Sequence, residues 1–226
     1  MEAKYFNFPI QLLKGFMIQP IVCLDNISDY CLVKDALDSG EEVTVEAISE
    51  VCDQFGITVP DVAKLRRKGL KLLRDIPGGG PMVGLSLKVY WDFYQEEKTD
   101  FDKITLLAYL AMKSIIQNKA YQKLENKFWY SRMDGNVTSC EPDQLSTEVR
   151  FYFTEYYSKR LKQELTDNWG LKTYSRYTRG FYISFKLSLE DLIFEALKRR
   201  KAMKEKQNKD EINQAYEKAL KRLNSG

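Results

Sequence analysis

Histidine is missing from all 226 residues. That absence excludes Ser-His-Asp triads, His-ligated metal centres, Cys2His2 zinc fingers and His-dependent single-strand nickases. Cysteine is scarce. Cys23, Cys31, Cys52 and Cys140 form no C-x-x-C pair and have no spacing that would fold four thiolates around one zinc, so buried, reduced thiols are expected. Nowhere do about 18 consecutive apolar residues occur, as a membrane span would need, and no charged-then-apolar leader opens at Met1-Glu2-Ala3-Lys4. The expectation is a protein of the reducing cytoplasm with no membrane partner, in which Asn136-Val137-Thr138 is a chance glycosylation sequon. No metal and no cofactor is expected.

What is present suffices for one large domain or two small ones: 44% of the residues are hydrophobic and 30% charged. The net charge of +3 conceals an uneven distribution. Residues 1–60 carry three lysines against ten acids, a net of −7. Residues 61–74 hold Lys64, Arg66, Arg67, Lys68, Lys71 and Arg74 against Asp61 alone, a net of +5. Residues 75–149 come to −3, residues 150–187 return to +5, and the tail from 188 adds +3. Two basic patches therefore stand in an otherwise acidic or neutral body.

Apolar periodicity predicts amphipathic helices over 20–37 and 45–55, the second closed by Gly56 in the left-handed conformation that glycine tolerates. A third helix is predicted to begin after Thr58, whose hydroxyl would cap it, with Pro60 in its first turn. Pro77-Gly78-Gly79-Gly80-Pro81 cannot continue a helix and lacks the Lys and Ser/Thr of a P-loop, so it reads as a connector. Leu85–Tyr94 is ambiguous between strand and helix and is taken as helix. Further helices are predicted over 102–117, 127–134 and, as one long element, 144–165. Period two then takes over: Leu171–Tyr177 and Phe181–Leu187 alternate as two strands of a hairpin joined through Thr178-Arg179-Gly180. Ser188 and Asp191 make a capping box for a charged helix, or two, reaching about Leu223.

The segment from Val51 to Leu65, within residues 45–68, resembles the helix-turn-helix of DNA-binding proteins. Small Cys52 lets two helices approach, Gly56 makes the turn, Ile57 plugs the angle, and Val62 and Leu65 pack the second helix back. The resemblance implies that Thr58, Val59, Pro60, Ala63, Lys64 and Arg67 face DNA. Val59 and Pro60 stand where base-reading proteins place polar side chains, whereas Lys64, Arg66, Arg67, Lys68 and Lys71 suit phosphates. The order of elements over 102–187 is similar to a winged helix. In that family the hairpin follows the recognition helix, which here would put Arg176 and Arg179 at the wing tip with Arg150, Lys159, Arg160 and Lys162 in support. The same residues also fit packed helices and a covering hairpin whose charges are merely solvated.

Pro60-Asp61 followed by Glu96-Glu97-Lys98 has the order of a metal-dependent nuclease motif. That chemistry needs both acids at the ends of adjacent strands, and the pattern puts one at a helix start and the other in a polar turn. The expectation is a mainly α protein with a small β-hairpin, built from tandem helix-turn-helix and winged-helix-like modules. Its parts are a helical module over 1–76, a linker and connecting helix over 77–100, the winged-helix-like module over 101–188, and a basic helix over 189–226. The expected function is non-enzymatic binding of double-stranded DNA, as a transcription regulator or as a replication initiator of a mobile element, resembling plasmid initiators in outline. A homodimer through the C-terminal helix goes with it, since Ile212, Ala215, Tyr216, Ala219, Leu220 and Leu223 recur at helical spacing. The alternative is a helical interaction or scaffold protein whose basic patches meet an acidic protein.

Overall fold

The computed structural model describes residues 4–40, 42–76, 80–175 and 180–223, with the side chains of 215, 216 and 218–223 excluded. Two helices, α1 (Pro20–Asp38) and α5 (Asp100–Ile116), are buried on most of their circumference and organise everything else. Cys23, Leu24, Ile27, Tyr30, Leu32, Val33 and Ala36 take α1 into the core, and Pro20 starts it where an amide would have no partner. Thr99 and Asp102 close a capping box at the start of α5, whose inward residues run from Ile104 to Ile116.

Around α1 lie β1 (Tyr5–Pro9), α2 (Val45–Phe55) and α3 (Val62–Asp75). Strand β1 was not anticipated. It alternates exposed Tyr5 and Asn7 with buried Phe6 and Phe8, and pairs antiparallel with β2 (Met82–Ser86). The predicted helix over 85–94 thus divides: Leu85 ends in a strand facing Phe6, and α4 (Leu87–Gln95) begins once Ser86 caps the amide of Val89. The strand and the helix were both in the pattern. Residues 77–79 of the expected connector lie outside the described residues.

Thr44 caps α2 by accepting from the amide of Ala47 at 3.1 Å, and Gly56 ends it at φ 68°. The expected start of the third helix needs correction. Pro60 lies in a bend, and α3 starts at Val62 with Asp61, not Thr58, accepting from the amide of Lys64 at 2.8 Å. Ile57 is buried and Val59 packs against the core, which holds 57–59 non-helical and lengthens the connection. A carboxylate is also the stronger cap for a helix N-terminus.

The second half continues from α5 through β3 (Gln122–Leu124), α6 (Asn126–Met133), α7 (Thr147–Phe151), α8 (Glu155–Asn168), β4 (Lys172–Tyr174) and β5 (Phe181–Ser184). The three strands form an antiparallel sheet in the order β3-β5-β4. The long helix expected over 144–165 is broken. Its first part is a 3-10 turn at Pro142–Gln144 and the short α7, and the chain re-enters helix only after Thr154 caps Tyr157. Tyr130 explains the break. Its buried hydroxyl donates to the carbonyl of Tyr152 at 2.7 Å and contacts Ser158 Oγ at 3.1 Å, holding the corner between α7 and α8.

Finally α9 (Leu189–Leu223) is one helix of 35 residues, started by the reciprocal pair Ser188–Asp191. Leu192 and Ala196 are buried, while the residues from Leu197 to Gln214 are exposed. Ile212, the first residue of the expected dimer seam, is among them; most of that seam's side chains lie outside the described residues. Among the described residues the protein is therefore mainly helical with two small antiparallel sheets. All four cysteines are free, three of them buried. No described helix is long and apolar enough to cross a membrane.

One core serves both halves. The face of α5 packs on β2 and the 3-10 turn Ile10–Leu13 from the first half, and on α6, α8 and β5 from the second. The chain leaves α5 through a tight turn in which Lys119 donates to the carbonyl of Ile116 at 3.0 Å. Gln117 occupies its first central position at φ 47° and ψ −123°, a conformation that favours glycine. Gln117→Gly should relieve that strain and raise stability by about 1 kcal/mol. Urea denaturation checks it, and an unchanged or lower midpoint would refute the strain argument.

Candidate nucleic-acid interface

Helix α3 sorts its cations by face. Leu65 and Gly69 face inward onto the core and α1. Arg66 and Lys68, beside them, are tied to neighbouring elements: the Arg66 guanidinium donates to the carbonyl of Val43, and Lys68, itself exposed, pairs with Asp29 at 2.9 Å. Asp29 sits on the buried α1, and burial outweighs Lys68 in pushing its carboxyl above the usual range. Lys64, Arg67 and Lys71 are exposed, share one stripe at helical spacing, and have no ion-pair partner among the described residues. Thr58 is exposed but precedes the helix, so it does not stand at a recognition-helix start.

The second patch is more dispersed. Arg150 is exposed on α7, its Nη1 3.5 Å from the carbonyl of Asp143. Lys159 forms an exposed i,i+4 pair with Glu155 at 2.8 Å, which is worth little and opens easily. Arg160 lays its guanidinium over the Phe101 ring, 4.1 Å from the centroid, and so reaches back towards α5. Arg176 and Arg179 lie outside the described residues. The expected set is thus brought together only in part: α3 contributes a coherent stripe, and α7–α8 contributes Arg150 and Lys159 on their solvent side.

Two further features belong here, one missed in the sequence and one expected only as support for the wing. The first is an aromatic corner between α7 and α8, where Phe151, Tyr152, Tyr157 and Tyr156 touch in series at centroid distances of 4.8–5.5 Å. Phe151 and Tyr156 are 62% and 66% exposed, so this corner offers apolar ring surface to a partner. The sequence signal was the density of aromatics in 151–157.

The second is Lys162 on α8. Its ammonium sits over the Phe181 ring at 3.6 Å and donates to Asn126 Oδ1 at 3.1 Å, beside a pocket of about 380 Å3 shared with Lys127 and Ser175. Burial pushes its pKa down to about 8. A lysine whose folded pKa lies below its unfolded one destabilises the fold while charged, so this penalty is complete below pH 8 and disappears as pH rises towards 10.5. Buried thiols act in the opposite direction, since burial raises Cys23 to about 11 and retains its proton in the fold. The informative quantity is therefore the difference between wild type and Lys162→Met. Between pH 7.5 and 9.5 that difference in melting temperature should move in favour of the wild type; a difference independent of pH would refute the shift.

Comparison with known protein families, curated proteins and solved structures finds no match.

Proposed function

We propose that this protein is a non-enzymatic binder of double-stranded DNA, acting as a transcription regulator or as a replication initiator of a mobile element. The observation that carries the reading is topological. The run helix, strand, three helices, strand, strand from α5 to β5, with the sheet in the order β3-β5-β4, resembles a winged helix with the short α7 added before its recognition helix. In such an arrangement α8 would be the recognition helix and the β4–β5 hairpin the wing.

Electrostatics supports the same reading. The solvent side of α3 presents Lys64, Arg67 and Lys71, cations that would grip phosphates and set register without encoding sequence. Exposed Phe151, at the end of α7, and Tyr156, at the start of α8, could meet the methyl groups of thymines in a major groove. The first half, in which β1-α1-α2-α3-β2 pairs its two strands across the helices, would be a second DNA-contacting unit.

The test is a titration of random-sequence duplex with the full chain at two salt concentrations. Binding should weaken steeply with salt, as counterion release requires. Absence of any shift at low salt with micromolar protein would sink the reading and favour an acidic protein as the partner of the basic patches.

A further inference from the structure

The three-stranded sheet has a second face, turned away from α5 and α8 and towards α9. In β5, Phe181 and Ile183 go into the core, so Tyr182 between them points to this second face. Its register partners are Lys123 on β3 and Tyr174 on β4, which places Lys123, Tyr182 and Tyr174 in one row across the strands. Leu197, Arg200 and Lys204 of α9 oppose that row, and between them lies a cavity of about 360 Å3. The cleft shares the β4–β5 hairpin with the proposed wing, but it lies on the face towards α9 and apart from the α3 stripe and the α7–α8 patch.

Its chemistry is specific. Two half-buried tyrosine rings form the floor, Leu197 adds to the apolar wall, and every charged side chain lining the cavity is a cation. Lys123, Arg200 and Lys204 have no ion-pair partner among the described residues. Two cations near the sheet are matched by contrast: Lys162 stacks on Phe181 and bonds Asn126, and Lys127 pairs with Glu141. A concave, largely apolar site with convergent cations, of the volume that small ligands occupy, is complementary to a molecule with a flat ring at one end and anionic charge at the other. A duplex does not meet that description, because its bases are stacked within the helix and only its phosphates face outward.

We infer that this cleft binds a nucleoside phosphate, its base on Tyr174 and Tyr182 and its phosphates between Lys123, Arg200 and Lys204. Base-on-aromatic stacking tolerates any base, so the rings supply affinity and the three cations fix orientation. The ligand is either a free nucleotide or the phosphorylated end of a single strand. In both cases it joins the sheet to α9, and occupancy would fix the direction in which the exposed part of that helix projects. The inference does not depend on duplex binding: the cleft shares the β4–β5 hairpin with the proposed wing, but none of its residues belongs to the α3 stripe or the α7–α8 patch.

Isothermal titration of the full chain at low salt with ATP, with 5′-phosphorylated trithymidylate and with inorganic tripolyphosphate tests it. Saturable binding of ATP or of the trinucleotide is expected, and which of the two binds tells free nucleotide from strand end. Tripolyphosphate should bind at least tenfold more weakly. Tyr182→Ala and Arg200→Ala should each weaken the nucleotide about tenfold or more, and Tyr182→Phe should retain it. Arg200 is exposed on a helix, so its alanine variant keeps the fold intact. No binding of either nucleotide at millimolar concentration, equal binding of tripolyphosphate, or unchanged affinity in Arg200→Ala would overturn the assignment.

Discussion

Gly69→Ala should lower the stability of the whole chain by about 3 kcal/mol, at the upper end of what overpacking costs. A β-carbon built on Gly69 would lie 2.4 Å from the carbonyl oxygen of Asp29 and 2.4 Å from Val33 Cγ2. The valine methyl can rotate away; the carbonyl cannot, nor can Val33 Cβ at 2.8 Å, because both are fixed to the backbone of α1. Alanine's better helix propensity returns about 1 kcal/mol, which is too little to offset a displaced helix. Since α1 and α3 pack directly on one another at Gly69, the two must separate or tilt. For a chain of this size the loss corresponds to a drop in melting temperature of roughly 10 °C. Adding Val33→Ala should restore part of it and no more, since the carbonyl contact persists. A melting temperature equal to the wild type would show that the crossing is looser than these distances require.

Replacing Lys64, Arg67 and Lys71 together by alanine should weaken duplex binding on the order of 100-fold near physiological salt and flatten the salt dependence by roughly three ion equivalents. These three side chains are exposed, so the fold should survive their loss. The pair Arg66 and Lys68, on the same helix, gives the contrast. Lys68→Ala leaves Asp29 buried without its cation, and Arg66→Ala removes the tie to Val43. Both should cost stability while leaving the salt slope nearly unchanged. If Arg66→Ala and Lys68→Ala flatten the salt slope as much as the triple change does, the division of α3 into a solvent stripe and a structural pair is wrong.

That division shows where sequence reading stopped. Six cations within fourteen residues were legible as a patch, but Asp29 lies 39 positions away from Lys68, and only folding decides which lysine meets it. Strand β1 was hidden for the same reason: five alternating residues near the start carry little signal until paired with a segment beyond residue 80. Where the determinants are local, the pattern sufficed. Gly56, and Ser188 with Asp191, set their helix ends through neighbours three or four residues away. The break near Tyr152 escaped notice because its cause, the hydroxyl of Tyr130, approaches from another helix. Of the candidate interface, the charge was readable and the stacking was not. Phe151 and Tyr156 look like core residues at helical spacing, and the row Lys123, Tyr182, Tyr174 exists only once three strands are aligned.

Helix α5 belongs to neither half alone, since it carries β2 on one flank and α6 with α8 on another. Neither half keeps its hydrophobic face covered if the other melts. Heat or denaturant should therefore dismantle the molecule in one cooperative step, and cutting within 77–79 would leave two fragments that must find each other to fold.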